Sequence, residues 1–112
     1  KLAEYIREPR ACAEELGLTL HLFGHAGDGN VHAYVYNDEV SDEEFTSRTE
    51  AFMERNYRKC IELGGAVSAE HGIGRGKKRY LGEKVGDGFL GLMLCIKRAF
   101  DPEQILNPGK IF

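Results

Sequence analysis

An α+β domain, with helices on one face of a small antiparallel sheet, is the fold this sequence predicts. Three observations point to it. Two short stretches of alternating, β-rich sequence flank the turn Gly24-His25-Ala26-Gly27-Asp28-Gly29-Asn30, as the arms of a hairpin do. Helix-spaced apolar residues come both before and after that hairpin. The 112 residues and 12.5 kDa amount to a single compact domain.

Each element has a local reason. From Leu2 to Leu16, apolar Leu2, Tyr5, Ile6, Ala13 and Leu16 recur at helical spacing, with Pro9 predicting a kink or restart and Gly17 the stop. Leu18–Phe23 and Val31–Tyr36 are the hairpin strands. Ser41 with Glu44 three residues on is a capping box. It opens a long helix whose stripe is Phe45, Phe52, Met53, Tyr57, Cys60 and Ile61, ending at Gly64-Gly65. Ala66–Ala69 reads as a brief buried strand running into the turn Glu70-His71-Gly72-Ile73-Gly74. Lys77–Glu83 predicts a short helix, and Phe89–Phe100, apolar on all sides, a largely buried one ended by Asp101-Pro102. The tail Ile105–Phe112 has apolar ends around a turn, Asn107-Pro108-Gly109. Two or three strands make a marginal sheet, so further strands are expected from upstream sequence or a partner chain.

Composition narrows the function. Charged residues at 29% and hydrophobic ones at 42% are ordinary globular values, and no apolar run approaches a membrane span. A net charge of -3 lacks the basic field that nucleic-acid binding needs, so no nucleic-acid partner is expected. Three widely spaced cysteines, Cys12, Cys60 and Cys95, form no disulfide framework or thiolate zinc site, which predicts a reducing, cytoplasmic setting. The start at Lys1 without a methionine or signal-like segment suggests a piece of a longer polypeptide. Glycine reaches 14 residues, well above the usual level of about 7%, and clusters at 24/27/29, 64/65 and 72/74/76, where special backbone is expected.

The hairpin carries the first candidate site. With Asp28-Gly29 as the central pair of a type I′ turn, His25 faces His32 across the ladder, with Cβ atoms about 4.5–5.5 Å apart. Gly24 and Gly27 also permit a longer loop, and the two histidines stay close under modest slippage. On this register Phe23 opposes Tyr34 and His21 opposes Tyr36 on the histidine face, while Leu20, Leu22, Ala33 and Val35 line the core face. Two imidazoles with Glu70 as an acidic third ligand, leaving positions open, suit a catalytic divalent metal: zinc, or else manganese or iron. The alternative is that the histidines satisfy backbone carbonyls or sit exposed beside a turn. His71, next to Glu70, should point to the opposite face of an extended chain and address a substrate.

Other motifs lead nowhere. Gly72-Ile73-Gly74-Arg75-Gly76-Lys77 is GxGxG, not GxGxxG, and lacks the framing of a P-loop or dinucleotide fold. The basic run Arg75, Lys77, Lys78 and Arg79 suits an anion but more simply a solvated helix face. No nucleophile elbow is present.

Three stretches carry a family resemblance: GHAGDGNVH (Gly24–His32), SAEHGIGRGKKRYL (Ser68–Leu81) and LNPGKIF (Leu106–Phe112). They resemble the signature segments of the C-terminal domain of FAD-linked oxidases, the group of glycolate oxidase flavin subunits, D-lactate dehydrogenases and D-2-hydroxyglutarate dehydrogenase within the vanillyl-alcohol oxidase superfamily. The resemblance implies a ferredoxin-like antiparallel sheet, incomplete here at the N-terminus. Residues 1–112 would be a substrate or cap domain covering FAD held mainly by another domain of the same polypeptide, and inactive alone. It implies oxidation of a small 2-hydroxy acid to a 2-oxo acid, with electrons passed to an electron-transfer flavoprotein, quinone or iron-sulfur partner. It implies metal ligation by His25, His32 and Glu70, proton abstraction by His71, and cofactor contacts from Gly72 and Asn107. Dicarboxylate-using members often have an asparagine two residues after the second histidine. Tyr34 stands there instead, which disfavours a hydroxyglutarate-like substrate. The competing expectation is a non-catalytic binding or dimerisation module, and an isolated domain of this kind is expected to form a homodimer.

Overall fold

The computed structural model describes residues 1–37 and 39–112. It contains α1 (Leu2–Leu16), β1 (Thr19–His25), β2 (Asn30–Tyr36), α2 (Asp42–Glu62), α3 (Lys78–Val85) and α4 (Asp87–Phe100). The fold class is α+β, as predicted, with helices packed on an antiparallel hairpin. Of a ferredoxin-like sheet, the described residues contain this one hairpin. The chain is organised as two compact units, Lys1–Gly64 and Gly65–Phe112.

In the first unit, α1 runs unbroken through a buried Pro9, so the expected restart does not occur. Gly17 ends it in the left-handed region, φ 61°. The Leu18 N–H donates to Ala13 O at 2.8 Å and the Gly17 N–H to Glu14 O at 3.2 Å, the pairing of a Schellman motif. That turn delivers Leu18 beside Ala13, and the two join Cys12 and Phe52 in the core, with Leu20, Val35 and Phe45 packed against them. Ser41 Oγ accepts the Glu44 N–H at 3.2 Å, the predicted cap. The Glu44 carboxylate, which a capping box would turn back on the Ser41 N–H, pairs with Arg48 one turn along. Arg48 also donates to Leu16 O at 3.0 Å, and Arg55 pairs with Glu8 and Glu15 of α1. Two α2 arginines therefore fasten α2 to α1. The Arg55 guanidinium holds the Glu15 carboxyl below the usual carboxylate range.

The hairpin register differs from the two-residue turn. His25 pairs with Asn30, Phe23 with His32 and His21 with Tyr34, so Ala26–Gly29 form a four-residue loop. A type I′ turn needs positive φ at both central residues. Gly29 adopts it at φ 68°, but Asp28 is not among the residues with positive φ. The slip is two residues, so every side chain keeps its predicted face. Gly24 is required by contact: a Cβ there would lie 2.2 Å from Asn30 O.

In the second unit, residues 66–69 form no strand, contrary to expectation. Ala66, Ser68 and Ala69 offer little side chain for a sheet face, and Ser68 Oγ donates to Gly72 O at 2.8 Å, closing a loop instead. Gly82 of α3 meets Leu90 of α4. The expectation that α4 is largely buried is also corrected: none of its residues is buried, and Phe89, Leu92, Ile96 and Phe100 are exposed along one stripe. Within this unit its only helical neighbour is the eight-residue α3, which cannot cover an all-round apolar helix.

Candidate functional site

Strand alternation puts His21, Phe23, His25, His32, Tyr34 and Tyr36 on the hairpin face opposite the core. The rings tile that face. Phe23 stacks on His32 at 5.3 Å and on Tyr34 at 5.2 Å, and His21 meets Tyr36 at 5.0 Å. His25 and His32 sit diagonally across the ladder rather than opposite. Their ring centroids are nonetheless 5.9 Å apart, edge to face at 81°. With metal–nitrogen bonds of about 2.0–2.1 Å, two imidazoles sharing one ion have centroids roughly 6 Å apart or less. The pair therefore has the donor chemistry and the spacing for a divalent ion. His25 is exposed and His32 half-buried.

Glu70, His71, Gly72 and Asn107 belong to the second unit. Glu70 and His71 do not diverge as an extended chain would require: Glu70 Oε1 lies 3.8 Å from His71 Nε2, and both side chains are exposed. The backbone here is bent rather than extended, with Gly72 at φ 73° and Gly74 at φ 55°. At Gly72, the position a Cβ would take has no atom within 4 Å, so a flat group can approach the backbone. Of the basic run, Lys77 turns onto Ser68 Oγ at 3.4 Å.

Asn107 starts a turn in which Lys110 N–H donates to Asn107 O at 3.3 Å and Gly109 takes φ 74°. Pro108 and Gly109 occupy the two central positions that a type II turn assigns to proline and glycine. Ile111 N–H then donates to Gly74 O at 2.8 Å, tying the tail to the loop that carries His71. Sequence reasoning missed three residues that organise this region: Ser68, Lys97 and Asp101. Asp101 served there only as a helix stop. Its spacing from Lys97, four residues along a helix, was the available signal. Lys97 and the backbone N–H groups of Leu106 and Ile105 hold its carboxyl below the usual range.

Comparison with known proteins is consistent across the chain. It is 42% identical over 111 residues to a D-lactate dehydrogenase of Anaerostipes hadrus, covering 99% of this chain and 23% of that protein. It is 40% identical to the mitochondrial D-lactate dehydrogenase [cytochrome] of Kluyveromyces lactis, covering 100% of this chain and 19% of that protein. To the glycolate oxidase subunit GlcD of Bacillus subtilis it is 38% identical, covering 100% and 24%. The chain thus spans about a fifth to a quarter of the length of these relatives. Residues 1–111 match the family described as FAD linked oxidases, C-terminal domain, and the chain belongs to that family.

Proposed function

We propose that this domain forms the substrate-handling part of an FAD-dependent oxidoreductase that converts a small 2-hydroxy acid, of glycolate or D-lactate type, to the 2-oxo acid. The observation that carries the reading is the His25–His32 pair, 5.9 Å apart on one hairpin face, in a chain of this family. FAD would be held mainly by another domain, and when bound it accepts the hydride from the substrate's hydroxyl-bearing carbon. His71 takes the hydroxyl proton on Nε2, so that proton and hydride leave together and the carbonyl forms. Its imidazole, at the bend opened by Gly72 and Gly74, is exposed to solvent. His25 and His32, with Glu70 as acidic ligand, would hold a zinc or manganese ion, a charge that orients a substrate carboxylate and hydroxyl. The open side of Gly72 supports its role as a cofactor contact, and Asn107 offers an exposed carboxamide from a turn tied to the same loop. Tyr34, stacked on Phe23, fills the position where dicarboxylate-using relatives carry an amide, which favours a monocarboxylate.

The electrons would pass to a flavoprotein, quinone or iron-sulfur acceptor. Cys12, Cys60 and Cys95, none of them in a disulfide, support a reducing, cytoplasmic setting, and no helix among the described residues is long and apolar enough to cross a membrane. The exposed stripe of α4 supports self-association of the domain on its own. The test is elemental analysis and calorimetric titration with zinc and manganese of the protein and of His25→Ala, His32→Ala and Glu70→Ala. One equivalent, lost in each variant, is expected. Undiminished binding in the histidine variants, or none in the FAD-loaded protein, overturns the metal assignment. In FAD-loaded protein His71→Ala should lower the rate of flavin reduction by roughly 10²–10⁴-fold, and an unchanged rate refutes its role as base.

A further inference from the structure

We propose that Asp101 is a positioning residue: clamped by Lys97, its carboxylate fixes the backbone immediately before Asn107 and so sets how that carboxamide is presented. This rests on the role given to Asn107 above. Asp101 is 3% exposed at the C-terminal end of α4, where the helix dipole disfavours a negative charge. A buried carboxylate persists only with partners, and those of Asp101 lie mostly in the tail. Oδ1 accepts the Ile105 N–H at 3.0 Å and Oδ2 the Leu106 N–H at 3.1 Å, while Lys97 Nζ pairs with Oδ2. Lys97 Nζ also donates to Leu106 O at 2.8 Å. Both backbone polar groups of Leu106 are therefore held by one ion pair, and Leu106 is the residue before Asn107.

The segment that follows is not in a conformation it would choose unaided. Among the described residues, the non-glycine positions with positive φ are Gln104 (53°), Asn107 (50°) and Ile111 (69°), all within this tail. Left-handed backbone is tolerated by asparagine but unfavourable for Gln104, and worst for the β-branched Ile111. It persists where surroundings fix it. One anchor is the Asp101–Lys97 clamp, and the other is the Ile111 N–H on Gly74 O. Between them Lys110 Nζ holds Asn107 Oδ1 at 3.2 Å. The ion pair thus fixes one end of a segment whose other end is bonded to the loop bearing His71.

The experiment compares Asp101→Asn, Asn107→Ala and the double variant in FAD-loaded protein, reading amide exchange, the flavin absorption spectrum and reduction potential, and kcat against KM. Asp101→Asn should raise exchange at Ile105, Leu106 and Ile111 at least tenfold and leave β1 and α2 protected. It should shift the flavin signals in the same direction as Asn107→Ala and lower kcat by roughly tenfold to a hundredfold with little change in KM. The double variant should add little. Lys97→Gln, which frees the Leu106 carbonyl, should reproduce these effects more weakly and serves if Asp101→Asn does not fold. Flavin signals and kcat unmoved by Asp101→Asn but moved by Asn107→Ala overturn the positioning role alone. If Asn107→Ala moves neither, the Asn107 assignment fails and the proposal with it.

Discussion

Replacing Gly24 by alanine tests whether the close approach of the two hairpin strands, and with it the placement of the histidine pair, depends on a missing side chain. The added Cβ would stand 2.2 Å from Asn30 O, 3.1 Å from Asn30 C and 3.2 Å from Val31 Cα, where ordinary contact begins at 3.4 Å. All three are backbone atoms of the facing strand, so no rotamer change relieves the overlap. The strands must part at Gly24–Val31 and His25–Asn30, the last two pairs of the ladder. Losing one or two ladder hydrogen bonds at about 0.5–1.5 kcal/mol each, with strain of about 1 kcal/mol or more at φ 151°, gives a destabilisation of about 2–4 kcal/mol. Gly27→Ala is the control, because nothing lies within 4 Å of its Cβ position. It should stay within about 0.5 kcal/mol of the parent. Urea denaturation followed by circular dichroism measures both. Equal effects of the two substitutions, or a Gly24→Ala loss under about 1 kcal/mol, would refute the argument.

Ser41→Ala removes the acceptor of the Glu44 N–H and should cost about 1 kcal/mol in the same urea assay. Because Glu44 is engaged with Arg48, Glu44→Ala should cost less than Ser41→Ala. Burial, with smaller contributions from Cys60 and Tyr57, pushes the Tyr5 hydroxyl from 10.0 up to about 12. The folded form then holds its proton where the unfolded chain has lost it. Stability from this group is therefore intact below about pH 10 and falls toward pH 12. Absorbance at 295 nm should show a late tyrosine step that Tyr5→Phe removes. Ile96→Glu or Phe100→Glu, on side chains 53% and 83% exposed, should lower self-association of the isolated chain in sedimentation experiments. An unchanged sedimentation profile places the contact elsewhere.

Local chemistry made much of this protein legible from its sequence. Gly17 as helix stop, Ser41 as cap, the apolar stripe of α2 and the turn Asn107-Pro108-Gly109 each follow from a steric or hydrogen-bonding preference confined to a few residues. The faces of the hairpin were legible for the same reason. Side-chain alternation has a period of two, so even a two-residue error in register left His25 and His32 on one side. What the sequence left undecided was settled by what each residue meets in space. The φ adopted at Asp28 made the loop four residues long, and the clash at Gly24 explains a glycine that composition could only count. The small side chains of 66–69 and the hydroxyl of Ser68 turned an expected strand into a loop. An eight-residue neighbour left α4 open along one stripe. Asp101 shows the difference most plainly: as a letter it ended a helix, and only burial beside Lys97 gave its carboxylate two backbone N–H groups to accept from and a charge to balance. Periodicity and caps fix local conformation, whereas partners distant in sequence decide burial, register and the work a charged side chain does.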